Sequence, residues 1–278
     1  MKPIIVFQSD FGLGGLVASM HGVCKTVDPT LEIDDLTHLV PAFDVRIASD
    51  NLQYTMPCWP KGTIFVSVID PGVGTARKAC VAKTGNGYFV VTPDNGTLSM
   101  IKEFYGIDEV REIDQSENYF HNTEYIDVFH GRDVFAYCAA RLAAGLITFE
   151  QVGKKYPVSD IIMLPKYPCE IKNGWVRASA WGSSDGFGIL LTNIRTIHFN
   201  KSGFDFENQV QITIRLEENV VFDQSVAYDK TFGCVPQGGL ILHPEVDCFL
   251  GLAINQGNFC EQYGIKDGKT YTIDIKKL

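Results

Sequence analysis

The chain has 278 residues, of which 45% are hydrophobic and 21% are charged, a balance typical of a globular protein with one large domain or two modest ones. Its net charge of −9 argues against a nucleic-acid partner, because neutralising phosphates requires an excess of Lys and Arg. The first residues lack the pattern of a signal peptide. No apolar run approaches the roughly 18 to 20 residues that span a bilayer, so no membrane partner is expected. The eight cysteines are scattered without a C-x-x-C pair, which predicts reduced, mostly buried thiols in a cytoplasmic protein.

Strand and helix signals alternate through the first half of the chain. The clearest strand is the apolar run at 63–69, and residues 16–27 have the pattern of a helix that closes at Asp28-Pro29. Further strands are predicted at 3–8, 79–83 and 88–92, and further helices at 45–54, 97–104 and 133–144. This alternation predicts an α/β N-terminal domain with a mainly parallel sheet over residues 1–160.

The pattern changes after a segment that contains Pro157, Pro165 and Pro168, which is typical of a linker. Short β-rich segments punctuated by glycine follow at 174–180, 188–192, 209–216, 240–242, 249–254 and 270–275. Short strands at this spacing predict a small barrel or a sandwich. We therefore predict a second, smaller all-β domain, barrel-like in form, over residues 169–278.

Three aspartates directly follow predicted strands of the first domain. Asp10 follows the first strand, Asp70 follows the strongest one, and Asp94 follows a third. In an open α/β sheet, ligands bind outside the carboxyl ends of the strands. An Asp-Pro-Gly or Asp-Asn-Gly string by itself is more often a plain turn, but three aspartates at one sheet edge favour a binding site.

A histidine precedes the predicted helix at 133–144, in the string Phe129-His130-Gly131-Arg132-Asp133. A single histidine is more often structural than catalytic, whereas a histidine in contact with a carboxylate and an arginine can take part in acid–base chemistry. The carboxylate can fix the tautomer of the imidazole, and Arg77 can stabilise the hydroxide character of a bound water. The six histidines show no H-x-x-x-H or H-E-x-x-H pairing, so no metal site is predicted. Weak binding of Mg²⁺ by the three aspartates stays an alternative.

Taken together and in this order, these strings resemble the S-adenosylmethionine (SAM) hydroxide adenosyltransferases, the hydrolase branch of the fluorinase and chlorinase superfamily. The matching pieces cover nearly the whole chain and are Asp10-Phe11-Gly12, Asp70-Pro71-Gly72-Val73-Gly74-Thr75, Pro93-Asp94-Asn95-Gly96, Phe129-His130-Gly131-Arg132-Asp133, Phe187-Gly188, Thr192-Asn193-Ile194, Val235-Pro236-Gln237-Gly238 and Asn255. Each piece is weak alone, but the ordered set is specific. The resemblance implies an α/β N-terminal domain, a β-barrel C-terminal domain, a homotrimer with sites between subunits, and SAM as substrate without a cofactor.

The resemblance also assigns roles to individual residues. Asp70, Arg77 and His130 match the triad that positions and activates water in the hydrolases, whereas the halogenating enzymes have tyrosine at the position of His130. Asp10 would bind the ribose hydroxyls, and Phe187 would stack on adenine. The other residues expected to bind the substrate are Phe11, Asp94, Asn95, Phe129, Gly131, Asp185, Tyr228 and Asn255. The implied reaction is attack of water on C5′ of the ribose, which releases adenosine and methionine.

Departures from the family pattern cluster where the methionine part of the substrate would bind. The stretch at 13–17 is one residue shorter and uncharged, Ile189 stands where the family usually has asparagine, and residues 243–247 replace an Asn-Ser segment. Each charged hydrogen bond lost costs about 1.5 to 3 kcal/mol. Either Glu245 or Asp247 binds the ammonium of SAM, or the substrate is another 5′-substituted adenosine. A protein that binds adenosine or SAM without turnover is a third interpretation.

Overall fold

A computed structural model describes residues 2–121, 128–183, 186–266 and 268–278 of the chain. The chain divides into two compact units between Leu164 and Pro165. Within the described residues, no helix combines the length and the apolar character that crossing a bilayer requires.

The first unit alternates strands and helices. Its strands are β1 (Ile5–Ser9), β2 (Ile33–Thr37), β3 (Ile64–Val68), β4 (Ala79–Thr84), β5 (Phe89–Pro93), β6 (Ile107–Glu112) and β7 (Lys155–Tyr156). Its helices are α1 (Gly15–Val27), α2 (Val45–Thr55), α3 (Ser99–Phe104) and α4 (Tyr137–Ala143). A π-helical turn over Gly131–Ala136 runs directly into α4, and 3₁₀ turns lie at Met56–Cys58, Phe149–Val152 and Val158–Asp160.

The strands of this unit pair in the order β2-β1-β3-β5-β4-β6-β7. The four strands from β2 to β5 in this order are parallel, and the remaining pairings are antiparallel. The α/β prediction is confirmed, with a sheet that is parallel on one side and antiparallel on the other. The change of direction occurs at Asn86-Gly87, a tight turn in which Gly87 has a φ of 88° and which makes β4 and β5 a hairpin.

Helices cover both faces of the sheet. Along β1, Ile5 and Phe7 belong to a hydrophobic cluster with residues of α1 and α4, whereas Val6 belongs to a second cluster with Leu52 of α2 and Ile101 of α3. Every residue of β1 and of β3 is buried. Strands buried on both faces have continuous apolar sequences, which is why β3 is the clearest strand in the sequence.

The parallel side of the sheet contains a topological switch point. From β1 the chain goes through α1 to β2 on one side, and later through α2 to β3 on the other side, with α1 and α2 on opposite faces. Ligands of open α/β sheets bind in the crevice that this reversal creates at the carboxyl ends of the strands. Ser9 and Val68, the last residues of β1 and β3, are paired in register. Asp10 and Asp70 therefore follow neighbouring strands at the same sheet edge.

The second unit consists mainly of strands. These are β8 (Cys169–Lys172), β9 (Trp175–Gly182), β10 (Leu190–Arg195), β11 (Asn208–Leu216), β12 (Asn219–Tyr228), β13 (Leu240–Pro244), β14 (Phe249–Ile254) and β15 (Tyr271–Lys277). The two helices in its described part are α5 (Thr196–Lys201) and α6 (Phe259–Gln262), and a 3₁₀ turn lies at Phe232–Cys234.

Seven of the described strands of this unit close into a barrel, in the order β9-β10-β14-β13-β12-β11-β15 and back to β9. Closure depends on the length of β9. Ala178 near its middle pairs with Cys169 of the outer strand β8, and Gly182 at its end pairs with Leu190 of β10. Large aromatic side chains such as Phe199, Phe222 and Phe259 fill the interior. The prediction of a smaller β-barrel domain is confirmed.

The cysteines differ in burial from the prediction. Cys24, Cys80 and Cys138 are buried, and burial raises the pKa of each thiol to about 12, so these three stay protonated and unreactive. The exposed cysteines are Cys58, Cys169, Cys234 and Cys248. The prediction of mostly buried thiols is wrong, because the exposed ones lie in turns and in the edge strand β8, where an apolar residue type does not imply burial.

Candidate active site

Asp70, Arg77 and His130 form one hydrogen-bonded row that begins at the carboxyl end of β3. Nε of Arg77 donates to Oδ1 of Asp70 at 2.9 Å, and Nη2 donates to Oδ2 at 2.5 Å. The same Nη2 donates to Nδ1 of His130 at 2.8 Å. The side chains of Asp70 and Arg77 are only 6% and 8% exposed, and His130 is 7% exposed. The structure thus brings together the three residues expected to activate water.

The loop between β3 and β4 turns Arg77 back onto Asp70. The hydroxyl of Thr75 donates to the carbonyl of Gly72 at 2.6 Å and accepts from the backbone N–H of Arg77 at 3.3 Å. Gly74 has a φ of 75°, a conformation that residues with a side chain rarely adopt. A Cβ at Gly72 would lie 3.2 Å from Cγ of Arg77. The Gly-Val-Gly-Thr part of the motif therefore shapes a turn that places the guanidinium.

His130 immediately precedes the π-helical turn. Within this turn, the N–H groups of Arg132 and Asp133 both donate to the carbonyl of Phe129 at 3.1 Å. Phe135, also in the turn, lies under Arg77, with its ring centroid 5.3 Å from the guanidinium carbon. π-helical turns occur frequently at functional sites, and here the turn directly follows the imidazole and supplies an aromatic face for the arginine.

The hydrogen bond from Arg77 determines where His130 carries its proton. All guanidinium nitrogens are donors, so Nδ1 of His130 accepts, and the proton of the neutral imidazole lies on Nε2. A second proton on Nδ1 would point at the guanidinium charge. The row therefore selects the tautomer of His130 that presents its N–H at Nε2.

Asp10, at the carboxyl end of β1, is tied to the loop that follows β2. Its Oδ2 accepts from the backbone N–H of Phe43 at 2.9 Å, and the N–H of Gly12 donates to the carbonyl of His38 at 2.8 Å. Phe43 is exposed and has a φ of 67°, unusual for a residue with a side chain. Sequence reasoning missed Phe43, because it acts through a backbone N–H and leaves no side-chain signal.

Phe11, Phe129 and Gly131 contact one another next to His130. The rings of Phe11 and Phe129 meet edge to face with centroids 5.5 Å apart. A Cβ at Gly131 would lie 2.9 Å from a ring carbon of Phe129 and 3.2 Å from one of Phe11. Glycine is therefore required at 131 so that both rings can close over the start of the π-helical turn.

Asp94 and Asn95 hold the backbone in place in this structure. The carboxylate of Asp94 is buried and accepts from the hydroxyl of Tyr156 and the N–H of Ile162, each at 2.9 Å. Nδ2 of Asn95 donates to the carbonyl of Ile69 at 2.8 Å. Both residues follow β5 at the predicted sheet edge, but the contacts described are structural. Their role in substrate binding stays a prediction.

Stability is expected to depend on pH through Asp94. Burial raises the pKa of its carboxyl above the ordinary value, against the opposing effect of hydrogen bonds from Ile162 and Tyr156. A group with a raised folded-state pKa stabilises the fold below its unfolded pKa and loses this contribution as pH rises through the folded pKa. We therefore expect Asp94→Asn, which cannot ionise, to gain stability relative to the wild type as pH rises from about 3.5 to 7.

Urea unfolding of both proteins at several pH values measures this gain. Asp205→Asn, at an exposed carboxylate, is the matched control and is expected to follow the wild type throughout. If the difference in unfolding free energy between wild type and Asp94→Asn stays constant with pH, the buried carboxylate is not the cause.

Tyr228 lies inside the barrel. It is fully buried, and its ring packs edge-on against Phe199 and in a stacked arrangement against Phe206. Its hydroxyl donates to Oδ1 of Asn200. These are the contacts of a core residue, because Tyr228 ends β12 on an inward-facing position. Its predicted role in substrate binding stays a prediction.

The remaining predicted site residues belong to the second unit. Asn255 follows β14, and its Nδ2 donates to the carbonyl of Val235 at 2.8 Å, so its side chain holds the loop before β13. Phe187 is 73% exposed. Asp185 lies outside the described residues. The roles assigned to Asn255, Phe187 and Asp185 stay predictions.

The segment that departs from the family pattern near the C-terminus makes close contacts within its own chain. Nε2 of His243 lies 3.2 Å from Oε1 of Glu245 without making a hydrogen bond, and burial lowers the pKa of His243. Oδ1 of Asp247 accepts from the N–H of Phe249 at 3.0 Å, and burial raises the pKa of Asp247. Ile189 is buried in an apolar cluster. The contacts of Glu245 and Asp247 with their own chain do not identify either as the residue that binds an ammonium group.

Both units match domains of one family. Residues 5–153 match the SAM hydroxide adenosyltransferase N-terminal domain, and residues 183–272 match the SAM hydroxide adenosyltransferase C-terminal domain. The chain belongs to the SAM hydroxide adenosyltransferase family. The resemblance that the sequence motifs indicated is thereby confirmed.

The relatives of this chain are named for two different activities. The (R)-S-adenosyl-L-methionine hydrolase of Salinispora arenicola is 32% identical over 273 residues, which cover 96% of this chain and 95% of the relative. A fluorinase of Actinoplanes sp. is 26% identical over 302 residues, with coverage of 98% and 97%. A crystal structure of an uncharacterized conserved protein from Thermotoga maritima has a TM-score of 0.85 and 36% identity, and covers 97% of this chain and 99% of that one. Family membership therefore leaves the nucleophile to be argued from the site.

Proposed function

We propose that this protein hydrolyses SAM to adenosine and methionine. The observation that supports the proposal is the buried row Asp70–Arg77–His130 beside the switch point of the sheet. The row contains an anionic acceptor and a cation that is held by partners on both sides, which together suit a water molecule. Relatives named (R)-S-adenosyl-L-methionine hydrolase support SAM as the substrate.

Each member of the row has a separate task in this mechanism. The water donates one O–H to the carboxylate of Asp70, which leaves a lone pair on its oxygen for attack on C5′ of the ribose. His130 accepts from Nη2 of Arg77 through Nδ1 and so holds the guanidinium in place. The guanidinium of Arg77 stabilises the negative charge that develops on the water oxygen. The O–C5′ bond forms as the C5′–S bond breaks, the electron pair goes to sulfur, and the water proton passes to Asp70. Methionine leaves as a neutral thioether, so no general acid is needed.

The same geometry favours water over a halide. A halide carries no proton to donate to Asp70, and its negative charge is repelled by that carboxylate at close range. The sequence resemblance implies that the halogenating branch has tyrosine in place of His130. We therefore propose hydrolysis rather than halogen transfer, even though fluorinases are among the relatives.

The rest of the substrate is proposed to bind around this row. Oδ2 of Asp10 is held by Phe43, and the carboxylate accepts the ribose hydroxyls. We propose that Phe187 stacks on adenine and that Asp185 contacts the amino acid part of the substrate. We propose a homotrimer in which the second unit completes each site at a subunit interface, and a cytoplasmic location.

Isotope labelling tests the reaction directly. Wild-type protein incubated with SAM in H₂¹⁸O is expected to release methionine and adenosine, with one ¹⁸O in the 5′-hydroxyl as measured by mass spectrometry. His130→Ala is the control and is expected to lose at least about 100-fold in rate. Absence of adenosine at every SAM concentration contradicts the proposal, and a 5′-halogenated product in added chloride or fluoride would identify a halogenase instead.

A hydrolase of another 5′-substituted adenosine is the second candidate. The observation that favours it is the apolar cluster around Ile189, together with the internal His243–Glu245 contact, where contacts to methionine were expected. Thermal unfolding with SAM, adenosine and 5′-methylthioadenosine ranks these ligands, since the preferred one raises Tm most. A larger shift with 5′-methylthioadenosine than with SAM supports the second candidate. A shift with SAM but no products supports a binding protein.

A further inference from the structure

Two histidines and an aspartate lie close together in the first unit, apart from the row formed by Asp70, Arg77 and His130. His21 lies on α1, Asp35 lies on β2, and His38 follows β2 directly. Nε2 of His21 is 2.9 Å from Oδ1 of Asp35, and Nε2 of His38 is 3.0 Å from the same oxygen. One potential ligand atom from each residue lies within 4.8 Å of the others. We propose that His21, Asp35 and His38 bind a divalent transition-metal ion, for which Zn²⁺ is the first probe.

The ligand atoms have the right chemistry and nearly the right spacing. Imidazole nitrogen and carboxylate oxygen both bind zinc at about 2.0–2.2 Å, so tetrahedral ligand atoms lie about 3.3 Å apart. The two separations at Asp35 must widen by about 0.3 to 0.4 Å to admit the ion, and the two imidazole nitrogens, which lie within 4.8 Å of each other, must come to about 3.3 Å. Three protein ligands leave the fourth position to water. Two imidazoles select against Mg²⁺ and Ca²⁺, which prefer oxygen ligands.

Both imidazole rings are oriented by neighbouring side chains. Oγ of Ser9 lies 2.6 Å from Nδ1 of His38 and accepts from the N–H of Phe11 at 3.3 Å. If Nδ1–H of His38 donates to Ser9, the lone pair on Nε2 is directed at the ion, the outer-shell arrangement common in metal sites. The ring of His21 packs on Phe7, with centroids 5.3 Å apart. The rings are therefore positioned before an ion arrives.

The three side chains of the cluster differ in their exposure to solvent. His38 is 3% exposed, whereas the side chains of His21 and Asp35 are 30% and 40% exposed. An ion can therefore enter from solvent and rest against a buried ligand. Two histidines that share one carboxylate oxygen also form an ordinary hydrogen-bonded cluster, and metal binding by the protein distinguishes these two arrangements.

The cluster is connected to the loop that carries Asp10. Ser9 links His38 to Phe11 through its hydroxyl, and the carbonyl of His38 accepts from Gly12. A bound ion therefore stabilises the loop after β1 and, through it, the fold of the first unit. This effect on stability gives a readout that does not depend on enzymatic activity.

Equilibrium dialysis of the full-length protein against ZnCl₂ tests the proposal, with exposed thiols alkylated beforehand. The wild type is expected to bind one Zn²⁺ per chain, and His21→Ala and Asp35→Asn are expected to lose at least about 10-fold in affinity. His198→Ala, at an exposed histidine of the second unit, is the matched control and keeps the wild-type affinity. His130→Ala also keeps it, which separates this site from the proposed active site.

Thermal unfolding provides the second measurement. Zn²⁺ at about 100 times Kd is expected to raise the Tm of the wild type by about 5 °C and to leave that of His21→Ala unchanged. Equal melting of both proteins in EDTA shows that the variant is folded. Wild-type affinity in His21→Ala and Asp35→Asn, or no saturable binding by the wild type below about 1 mM, overturns the proposal.

Discussion

Replacing Arg77 with alanine is expected to slow adenosine formation from SAM at least about 100-fold and to lower the free energy of unfolding by about 3 kcal/mol. The substitution leaves the carboxylate of Asp70, whose side chain is 6% exposed, without its cationic partner. It also removes the donor that fixes the tautomer of His130. Steady-state kinetics and urea unfolding of the same preparations measure both effects.

The conservative variant Arg77→Lys separates charge from geometry. Lysine keeps the positive charge near Asp70, but one ammonium cannot reproduce the two-point contact with the carboxylate and also donate to His130. We expect most of the stability to return and most of the activity to stay lost. If Arg77→Lys has the wild-type rate, the arginine contributes charge alone, and a wild-type rate in Arg77→Ala removes it from the mechanism.

Tyr228→Ala is expected to lower the free energy of unfolding by about 3 to 5 kcal/mol, because it opens a cavity in a fully buried aromatic cluster of the barrel. Tyr228→Phe keeps the ring and loses the hydrogen bond to Asn200, so its cost is about 1 kcal/mol. Urea unfolding measures both changes. Because the side chain lies in the core, KM for SAM is expected to stay unchanged in Tyr228→Phe.

The two measurements on Tyr228→Phe decide between packing and substrate binding. A KM raised about tenfold with no loss of stability would mean that the hydroxyl contacts the substrate, as the sequence resemblance implied. Unchanged KM with a small loss of stability supports the packing role that the structure describes. Tyr263→Phe, at another tyrosine of the same unit whose ring packs on Phe222, is the matched control.

The sequence determined the strongest elements of the fold and the position of three carboxylates. β3 was evident because strands buried on both faces need a continuous apolar run. Asp10, Asp70 and Asp94 were expected at one sheet edge, and they follow β1, β3 and β5, which are parallel neighbours. A residue that ends a parallel strand reaches this edge whatever the rest of the fold is.

Elements with weak periodicity were harder to predict. β2 contains Asp34 and Asp35 and lies at the edge of the sheet, and β12 exposes much of one face, so neither has an apolar pattern. The antiparallel half of the first sheet did have a local signal. Asn86-Gly87 between two apolar runs is typical of a hairpin. The prediction of a mainly parallel sheet did not take this signal into account.

Tertiary structure alone decided which distant side chains meet. The tautomer of His130 follows from a contact with a residue 53 positions earlier, and Tyr228 became a core residue because β12 turns it inward. His21 and Asp35 showed no metal-ligand spacing, yet the crossover from α1 to β2 brings them to one point. Sequence periodicity reports the local path of the chain. Contacts between distant segments depend on which strands pair and in what register, and no short window of sequence contains that information.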